Sequence, residues 1–272
     1  MTPQSEREEQ PAAQRWVDAR RSWAVPAAIK DAAPEASRGF DVGRFARSAD
    51  RAMTRETPSR QRAREALPVG GSVLDVGCGA GAAGLPLVPP AALVVGVDPS
   101  PGMLAAFAER ARGLGVDHRE IEGPWPEVAE RAPRVDVVVC HSVFFGIADL
   151  GPFAQTLTEH ARARVVAQVP EQPPRAWIRP YWKAVHGVDL PDRPTADDAI
   201  AVLREAGMDP QVQRWDRPTR EEDDGDRRVA SLRRALYLGP DRDPEIRALL
   251  DRYPPPATRR VVTLWWDVTP SR

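Results

Sequence analysis

The stretch Val73–Met103, VLDVGCGAGAAGLPLVPPAALVVGVDPSPGM, decides the fold of the chain. Two short apolar runs, Val73–Val76 and Ala92–Val97, flank a segment that is rich in glycine. Continuous apolar runs bounded by turn residues are typical of strands that are buried on both faces of a parallel sheet. Glycines let the backbone turn tightly and approach a ligand, and the amides that follow offer a site for a negative group. The stretch therefore predicts a strand, a ligand-binding loop and a second strand.

Two kinds of cofactor fit this pattern. In both, Asp98 at the end of the second run accepts hydrogen bonds from a ribose diol. A dinucleotide motif would use Gly77, Gly79 and Ala82, with its ribose acid about 20 residues further on. Asp75 favours the other kind, because an unpaired carboxylate in a buried strand costs several kcal/mol. S-adenosylmethionine (SAM) carries a sulfonium and an ammonium, and a positive charge of this kind removes that cost.

The whole stretch resembles the class I SAM-dependent methyltransferases, on the motifs Asp75-x-Gly77-x-Gly79-x-Gly81 and Gly96-Val97-Asp98-x-Ser100-x-x-Met103. The resemblance implies SAM as the cofactor. It also implies an α/β fold with a doubly wound, mostly parallel seven-stranded sheet, helices on both faces and an antiparallel last strand. The cofactor-binding residues that it implies in this stretch are Asp75, Gly77, Cys78, Gly79, Gly81, Asp98, Pro99 and Met103.

Composition narrows the class of protein. The 272 residues can bury a substantial core. The formal net charge of −1 gives no positive field for nucleic acid, so we expect a small-molecule substrate and no nucleic-acid partner. The two cysteines exclude a disulfide framework and a Cys/His zinc site, and we predict no metal. No apolar run approaches 18 residues and the first ten residues are polar, so we expect a cytoplasmic protein with no membrane partner.

We predict five regions along the chain: a disordered leader over residues 1–11, an N-terminal helical cap over 12–70, a SAM-binding Rossmann-like core over 71–216, a helical insertion over 217–257, and a final core strand with a tail over 258–272. The cap contains helical patterns at 12–31 and 42–66. Helices in this position often close over the substrate in methyltransferases of this type, and plain packing is the alternative.

The prolines and glycines of the core predict helix ends. Pro86 and the prolines after it predict that the first core helix ends near Leu87. Ser100 is predicted as an N-cap, with a proline at the first helical position, and Gly113 is predicted to close that helix. Thr195 and Asp198 form a predicted capping box. We place the other core strands at 116–121, 135–140, 164–169, 211–215 and 260–268, and further helices at 152–163, 229–238 and 244–253.

The loop Glu122–Pro126 holds the adenine in the family that the chain resembles. An acidic residue commonly follows Gly123 there, and in this chain Pro124 takes its place. Trp125 then offers a stacking surface, or it packs the loop onto the sheet. We include Gly123, Pro124 and Trp125 among the predicted cofactor-binding residues.

Residues after the fourth and fifth strands are candidates for the acceptor side. Cys140 and His141 leave the fourth strand, where the resemblance places the transferred methyl group. A buried cysteine is usually a small apolar side chain, so we assign Cys140 to the cofactor pocket and not to nucleophilic catalysis. The segment 173–192 crowds four aromatic or imidazole side chains into ten residues, which indicates either a substrate wall or a self-packed loop. The predicted catalytic candidates are His141, His186 and Tyr181.

The sequence thus predicts a SAM-dependent methyltransferase. Methyl transfer from a sulfonium is an in-line displacement, here toward an oxygen, nitrogen or carbon nucleophile of a small organic acceptor. A base is needed only when the acceptor is a hydroxyl or a protonated amine. Two alternatives stay open at this point: an NAD(P)-dependent oxidoreductase, and a SAM-binding scaffold or partner subunit without catalysis. Neither the acceptor nor the oligomeric state follows from the sequence.

Overall fold

The structure is a computed structural model that describes residues 10–33, 42–219 and 225–268. The predicted disordered leader, residues 1–11, lies outside the described residues except for its last two positions. Seven strands of the described chain form one sheet: β1 (Ser72–Val76), β2 (Leu93–Asp98), β3 (Asp117–Glu122), β4 (Val135–His141), β5 (Ala161–Pro170), β6 (Gln211–Pro218) and β7 (Thr258–Asp267).

The strand order is β3-β2-β1-β4-β5-β7-β6, and β7 is antiparallel to both of its neighbours. The fold class predicted from the sequence is confirmed. The α-helices around the sheet are α1 (Ala12–Arg21), α2 (Ala27–Asp31), α3 (Val42–Thr54), α4 (Pro58–Ala66), α5 (Pro101–Leu114), α6 (Leu150–His160), α7 (Arg179–His186), α8 (Ala196–Glu205), α9 (Gly225–Ala235) and α10 (Asp243–Arg252).

Apolar side chains fill both faces of the central strands. On one face, Leu74 and Val138 pack with α1, α6 and α8. On the other face, Val73 and Val139 pack with α4 and α5. Successive side chains of a strand point to opposite faces, so a run of consecutive valines serves both layers. The polar pattern of β3 follows from its place at the end of the strand order, where half of its side chains are exposed.

A third apolar cluster lies apart from the two sheet faces. It joins α7 to α9 and α10, with Tyr181 and Trp182 fully buried at its centre. The aromatic segment after β5 and the predicted helical insertion therefore pack against each other. The sequence assigned them to separate regions, since spacing along the chain gives no sign of this contact.

The structure corrects three predicted element boundaries. The glycine loop leads into turns and a 3₁₀ turn at Leu85–Leu87, in place of a short α-helix. Three prolines over residues 86–90 prevent helical hydrogen bonds from continuing. Helix α5 continues past Gly113 to Leu114, and Gly115 ends it at a φ of 65°, the left-handed conformation that favours glycine. The helix predicted over 152–163 ends at His160, because the chain from Ala161 onward already pairs as β5.

Other predicted features agree with the structure. Ser100 caps α5, with its hydroxyl accepting a hydrogen bond from the Met103 amide. Thr195 and Asp198 form the capping box at the start of α8. Within the described ranges, none of the helices is both long enough and apolar enough to cross a bilayer.

Candidate active site

The carboxyl ends of the parallel strands meet at one edge of the sheet, and ligands of open α/β folds bind there. The glycine loop over residues 77–81 follows β1, Asp98 ends β2 and His141 ends β4. Strand β1 lies between β2 and β4 in the sheet. These three features, distant in sequence, are therefore side by side at this edge.

Glycine is required at two positions of the loop. A Cβ on Gly77, whose φ is 71°, would lie 2.4 Å from Val143 Cγ2. A Cβ on Gly81, whose φ is 90°, would lie 2.4 Å from Leu85 Cδ1. The Gly77 amide also donates to the Val97 carbonyl at 2.8 Å, which continues the pairing of β1 with β2 into the loop. Both the conformation and the packing hold the loop in one shape.

Asp75 is fully buried beneath this loop. Its Oδ2 accepts a hydrogen bond of 2.7 Å from the Gly84 amide, and its Oδ1 has no hydrogen-bond partner. The pKa of Asp75 is raised to about 7, chiefly by burial and also by the neighbouring charge of Asp98, against the lowering effect of hydrogen bonds from the Gly84 and Ala83 amides. The main chain thus supplies part of the compensation that the sequence argument assigned entirely to a cationic ligand. The remaining unpaired oxygen still favours a nearby positive charge.

Asp98 connects the glycine loop to the start of α5. Its Oδ2 accepts from the Gly79 amide and its Oδ1 accepts from the Ser100 amide, both at 2.9 Å. A carboxylate oxygen has two lone pairs, so each oxygen retains one for a further donor. The carboxylate is fixed in orientation and only partly buried. This geometry fits the two hydroxyls of a ribose.

The residues predicted to surround the adenine lie beside Asp98. Pro99 is exposed, and Met103 is buried in the first turn of α5. The Gly123 amide donates to the Asp98 carbonyl at 3.2 Å, which attaches the loop after β3 to the end of β2. Pro124 is exposed at the same loop.

Trp125 packs inward from this loop. It is buried in the cluster formed with α6, and its ring meets His160 edge-on, with 4.9 Å between the ring centroids. Its indole nitrogen is buried without a hydrogen-bond partner. Of the two interpretations offered by the sequence, the structure shows the packing contact.

Both cysteines are buried small apolar side chains. Cys78 lies in the cluster with α5, and Cys140 lies on the opposite face of the sheet. Burial raises the pKa of each thiol well above its usual value, and the charge of Asp75 adds to that effect. Neither thiol is a thiolate near neutral pH, in agreement with the exclusion of Cys140 as a nucleophile.

His141 is the predicted catalytic residue that lies at the cofactor edge. Its Nε2 is buried without a hydrogen-bond partner. Burial and, to a smaller extent, the positive charge of Arg217 lower its pKa to about 4. The imidazole is therefore neutral at physiological pH. The next residue, Ser142, has a φ of 63°, which is strained for a residue other than glycine.

Tyr181 and His186 lie in the third cluster, with their polar groups engaged. The Tyr181 hydroxyl donates to the Tyr253 carbonyl, and His186 Nε2 lies 2.9 Å from the Leu236 carbonyl oxygen. His186 also packs on Trp182, with 4.6 Å between the ring centroids. Burial raises the pKa of Tyr181, against the lowering effect of Arg228 and Arg259. The structure thus gives both residues packing contacts and does not bring them onto the strand end that carries His141.

Sequence reasoning missed the contacts that hold the segment after β4. Trp16 Nε1 donates to the Ile147 carbonyl at 2.9 Å, and Arg20 donates to the carbonyls of Phe145 and Gly146, each at 2.9 Å. Helix α1 therefore fixes the segment that follows His141. The partners are about 125 residues apart in sequence, and the only available signal was the presence of these side chains on one helix.

A buried polar network on the α4 side of the sheet was also missed. The Ser59 hydroxyl donates to Gln168 Oε1 at 3.0 Å and lies 2.7 Å from Thr263 Oγ1. Trp215 Nε1 donates to the same threonine oxygen at 3.1 Å. Polar residues at positions 168 and 263, inside otherwise apolar strands, were the available sequence signal.

Residues 73–164 match the family model described as a methyltransferase domain. The matched range begins in β1 and ends in β5, so it contains the glycine loop, Asp98 and His141. It confirms the resemblance to class I SAM-dependent methyltransferases that the motifs indicated, and it agrees with SAM as the predicted cofactor.

Curated relatives match over the same part of the chain. The ubiquinone biosynthesis O-methyltransferase of Azorhizobium caulinodans is 38% identical over 100 residues, which cover 36% of this chain and 39% of that protein. The chain thus spans about two fifths of the length of the curated relatives it matches.

Solved structures share the fold more widely. The YcgJ protein of Bacillus subtilis superposes with a TM-score of 0.54 at 16% identity, over 79% of this chain and 99% of that chain. A SAM-dependent methyltransferase from Thiobacillus denitrificans, in complex with S-adenosyl-L-homocysteine, gives a TM-score of 0.50 at 20% identity, over 84% and 99% of the two chains. At these identities the likeness establishes the fold.

Proposed function

Since residues 73–164 carry a methyltransferase domain, we propose that the protein transfers a methyl group from SAM to a small organic acceptor. The observation that carries the proposal is Asp98, held between the Gly79 and Ser100 amides beside a loop that only glycine can form. Each carboxylate oxygen retains an acceptor site at the position where this fold binds a ribose.

SAM supplies an electrophilic methyl group on a positively charged sulfur. The chain's own contribution is to hold the donor and the acceptor in line, and alignment of this kind is worth roughly 7–11 kcal/mol in good cases. In this proposal Asp98 accepts the ribose hydroxyls, and the predicted adenine residues Pro99, Met103, Gly123 and Pro124 form the far end of the site. The unpaired Oδ1 of Asp75 contributes negative potential beneath the loop.

His141 is the proposed proton acceptor for a hydroxyl nucleophile. The Nε2 atom of its neutral imidazole is buried, and no group of the described residues forms a hydrogen bond with it. A pKa of about 4 makes it a weak base, so we expect its contribution to be smaller than that of alignment. The curated relatives are named O-methyltransferases, so hydroxyl acceptors are the first to test.

Two further parts of the proposal concern context. The acidic balance of the chain favours a small molecule over nucleic acid as the acceptor. We also propose a cytoplasmic location, in keeping with two free, buried cysteines that form no disulfide. The domain match favours methyl transfer over hydride transfer, the first alternative that the sequence left open.

Calorimetric titration of the protein with SAM, S-adenosylhomocysteine and NADH tests the proposal. We expect micromolar dissociation constants for the first two ligands and no heat with NADH. Asp98→Ala should weaken binding about 100-fold, because the carboxylate holds both the ligand and the loop. Asp117→Ala is the matched control, since Asp117 lies at the amino end of β3, away from the site. Binding of NADH alone, or unchanged affinity in a folded Asp98→Ala variant, would refute the proposal.

Turnover separates an enzyme from a binding scaffold. We expect S-adenosylhomocysteine to form when SAM is supplied with a panel of small hydroxyl, amine and carbon acceptors. SAM binding without product from any class of acceptor would support the scaffold.

A further inference from the structure

An arginine of β6 lies on the same face and toward the same edge of the sheet as His141. Across the sheet, His141 pairs with Gln168, Gln168 pairs with Thr263, and Thr263 pairs with Gln213. Side chains alternate along a strand, so Arg217, four residues after Gln213, points to the same face. Strand β6 is parallel to β4 and β5, since both it and β5 are antiparallel to β7, so Arg217 lies toward the carboxyl edge.

The buried polar network brings the N-terminal helices over this face. Ser59, in the first turn of α4, binds Gln168 and Thr263, and Trp215 binds the same threonine. Arg55, in the turn between α3 and α4, lies four residues before Ser59 and close enough to Arg217 for their charges to repel. Arg51 lies four residues before Arg55, in the last turn of α3. We call Arg51, Arg55 and Arg217 the arginine face.

Within the part of the chain that the structure describes, the arginine face carries positive charge without a paired carboxylate. Burial lowers the pKa of Arg217, and repulsion from Arg55 lowers it further. Within residues 10–33, 42–219 and 225–268 the structure gives Arg217 no carboxylate partner. Arg51 Nε and Nη2 are buried without a hydrogen-bond partner. Buried guanidinium groups are normally paired with a carboxylate. Here the charge acting on Arg217 is that of another arginine, and the two repel each other.

We propose that the arginine face binds an oxyanion, a carboxylate or a phosphate, on the methyl acceptor. Arg217 is its central residue and Arg55 completes it. This inference rests on the proposed function, because it assigns the substrate class of the same site. A planar guanidinium matches both kinds of oxyanion in a bidentate arrangement, which gives orientation as well as charge.

Binding of an oxyanion has a consequence for His141. Arg217 is one of the two causes that lower the pKa of the imidazole, together with burial. An anion on Arg217 offsets that positive charge, so the imidazole becomes a stronger base when the acceptor is present. The same contact then selects the acceptor and prepares the group that takes its proton.

The test titrates the full chain, loaded with S-adenosylhomocysteine, with benzoate, inorganic phosphate and the neutral analogue benzamide. Isothermal calorimetry measures affinity, and NMR follows the titration of the His141 ring. We expect benzoate or phosphate to bind saturably and to raise the pKa of His141, and benzamide to bind at least about tenfold more weakly. Saturation by benzoate identifies a carboxylate site, and saturation by phosphate identifies a phosphate site.

Variants assign the binding to the arginine face. Arg217→Met and Arg55→Met should each weaken anion binding about tenfold or more, since each removes a charge-assisted contact. Arg260→Met is the matched control. It removes an arginine from the neighbouring strand end, on the opposite face, where Arg260 pairs with Asp216 at 2.9 Å. The exposed position of Arg55 makes its variant safe for folding if Arg217→Met is unstable.

Two results would overturn the inference. One is equal binding of benzamide and the anions, or no binding of any probe. The other is anion binding that survives both arginine substitutions. Affinity for S-adenosylhomocysteine is measured in the same samples, and we expect it to change less than twofold. Its loss in Arg217→Met would assign this arginine to the cofactor instead. If the unmodified protein does not bind S-adenosylhomocysteine at all, the proposed function fails, and titration of the cofactor-free protein still tests the anion site.

Discussion

The proposed site at the carboxyl edge of the sheet has a cofactor half and an acceptor half, and the two are built from different parts of the chain. On the cofactor half, β1, β2 and the glycine loop are connected mainly through backbone groups: Asp75 and Asp98 accept from amides within about twenty residues. On the acceptor half, side chains reach across the whole chain, as when Arg20 and Trp16 hold the segment after β4. Local backbone contacts leave a motif in the sequence, whereas distant side-chain contacts do not.

The comparison predicts its largest effect on cofactor binding at Gly77. Gly77→Ala places a methyl group 2.4 Å from Val143 Cγ2 at a φ of 71°, so the loop must change shape. We expect loss of measurable S-adenosylhomocysteine binding by calorimetry and a destabilisation of about 1–3 kcal/mol in urea unfolding.

Gly113→Ala is the control for this substitution. Gly113 lies inside α5, and an added Cβ would meet nothing within 4 Å. Alanine there should stabilise the helix by up to about 1 kcal/mol and leave cofactor affinity unchanged. Comparable cofactor affinity in the two alanine variants would show that the loop is not held by its backbone conformation.

The second prediction concerns pH, because the two halves have opposite dependences. Asp75 has a pKa of about 7 in the folded state against 3.8 normally, so the native state binds its proton more tightly. Its contribution to stability is present at low pH and is lost as pH rises from about 4 to 7, a change of about 4 kcal/mol. His141, at about 4 against 6.5, contributes stability above pH 6.5 that is lost as pH falls toward 4.

Urea unfolding of the cofactor-free protein between pH 4 and 8 measures both contributions. In the unmodified protein they oppose each other between pH 4 and 6.5. Asp75→Asn should remove the contribution of Asp75, which falls as pH rises, so that the stability of this variant increases between pH 4 and 6.5. In His141→Asn only the contribution of Asp75 should remain, so stability should fall as pH rises from 4 to 7. Parallel pH profiles for the two variants and the unmodified protein would contradict the assignment of these pKa shifts.

The smallest effect is expected from the distant contacts of α1. Arg20→Met removes two hydrogen bonds to the segment after β4, and we expect methyl transfer to slow about tenfold because alignment at His141 relaxes. Cofactor affinity should stay within twofold, since the glycine loop is unaffected.

Arg21→Met is the control for Arg20. Arg21 is exposed on the same helix and forms an ion pair with Asp18 at 3.7 Å, so its loss should change neither rate nor affinity. A parallel fall of rate and cofactor affinity in Arg20→Met would show that the two halves do not act separately.

Particular residues show where the sequence argument succeeded. Ser100 and the Thr195–Asp198 capping box were predicted correctly because an N-cap depends on three or four neighbouring residues. Gly113 was wrong as a helix end, because two glycines lie near that end and only the backbone shows which has a positive φ. Pro86 correctly indicated that a helix after the glycine loop could not be long. The sequence did not predict that turns and a 3₁₀ turn replace this helix completely.

The chain's sequence alone determined the sheet, the glycine loop and the place of Asp98 at the end of β2, since these depend on apolar runs and on residues close together in the chain. Tertiary structure alone decided that Trp125, Tyr181 and His186 pack inward, that a backbone amide holds Asp75, and that the charge of Arg217 acts on His141. Those outcomes depend on which helices cover each face of the sheet. Any apolar helix can bury the apolar side chains of a sheet face, whatever its place in the chain. The pattern of residues along the chain therefore does not show which helix packs on which face.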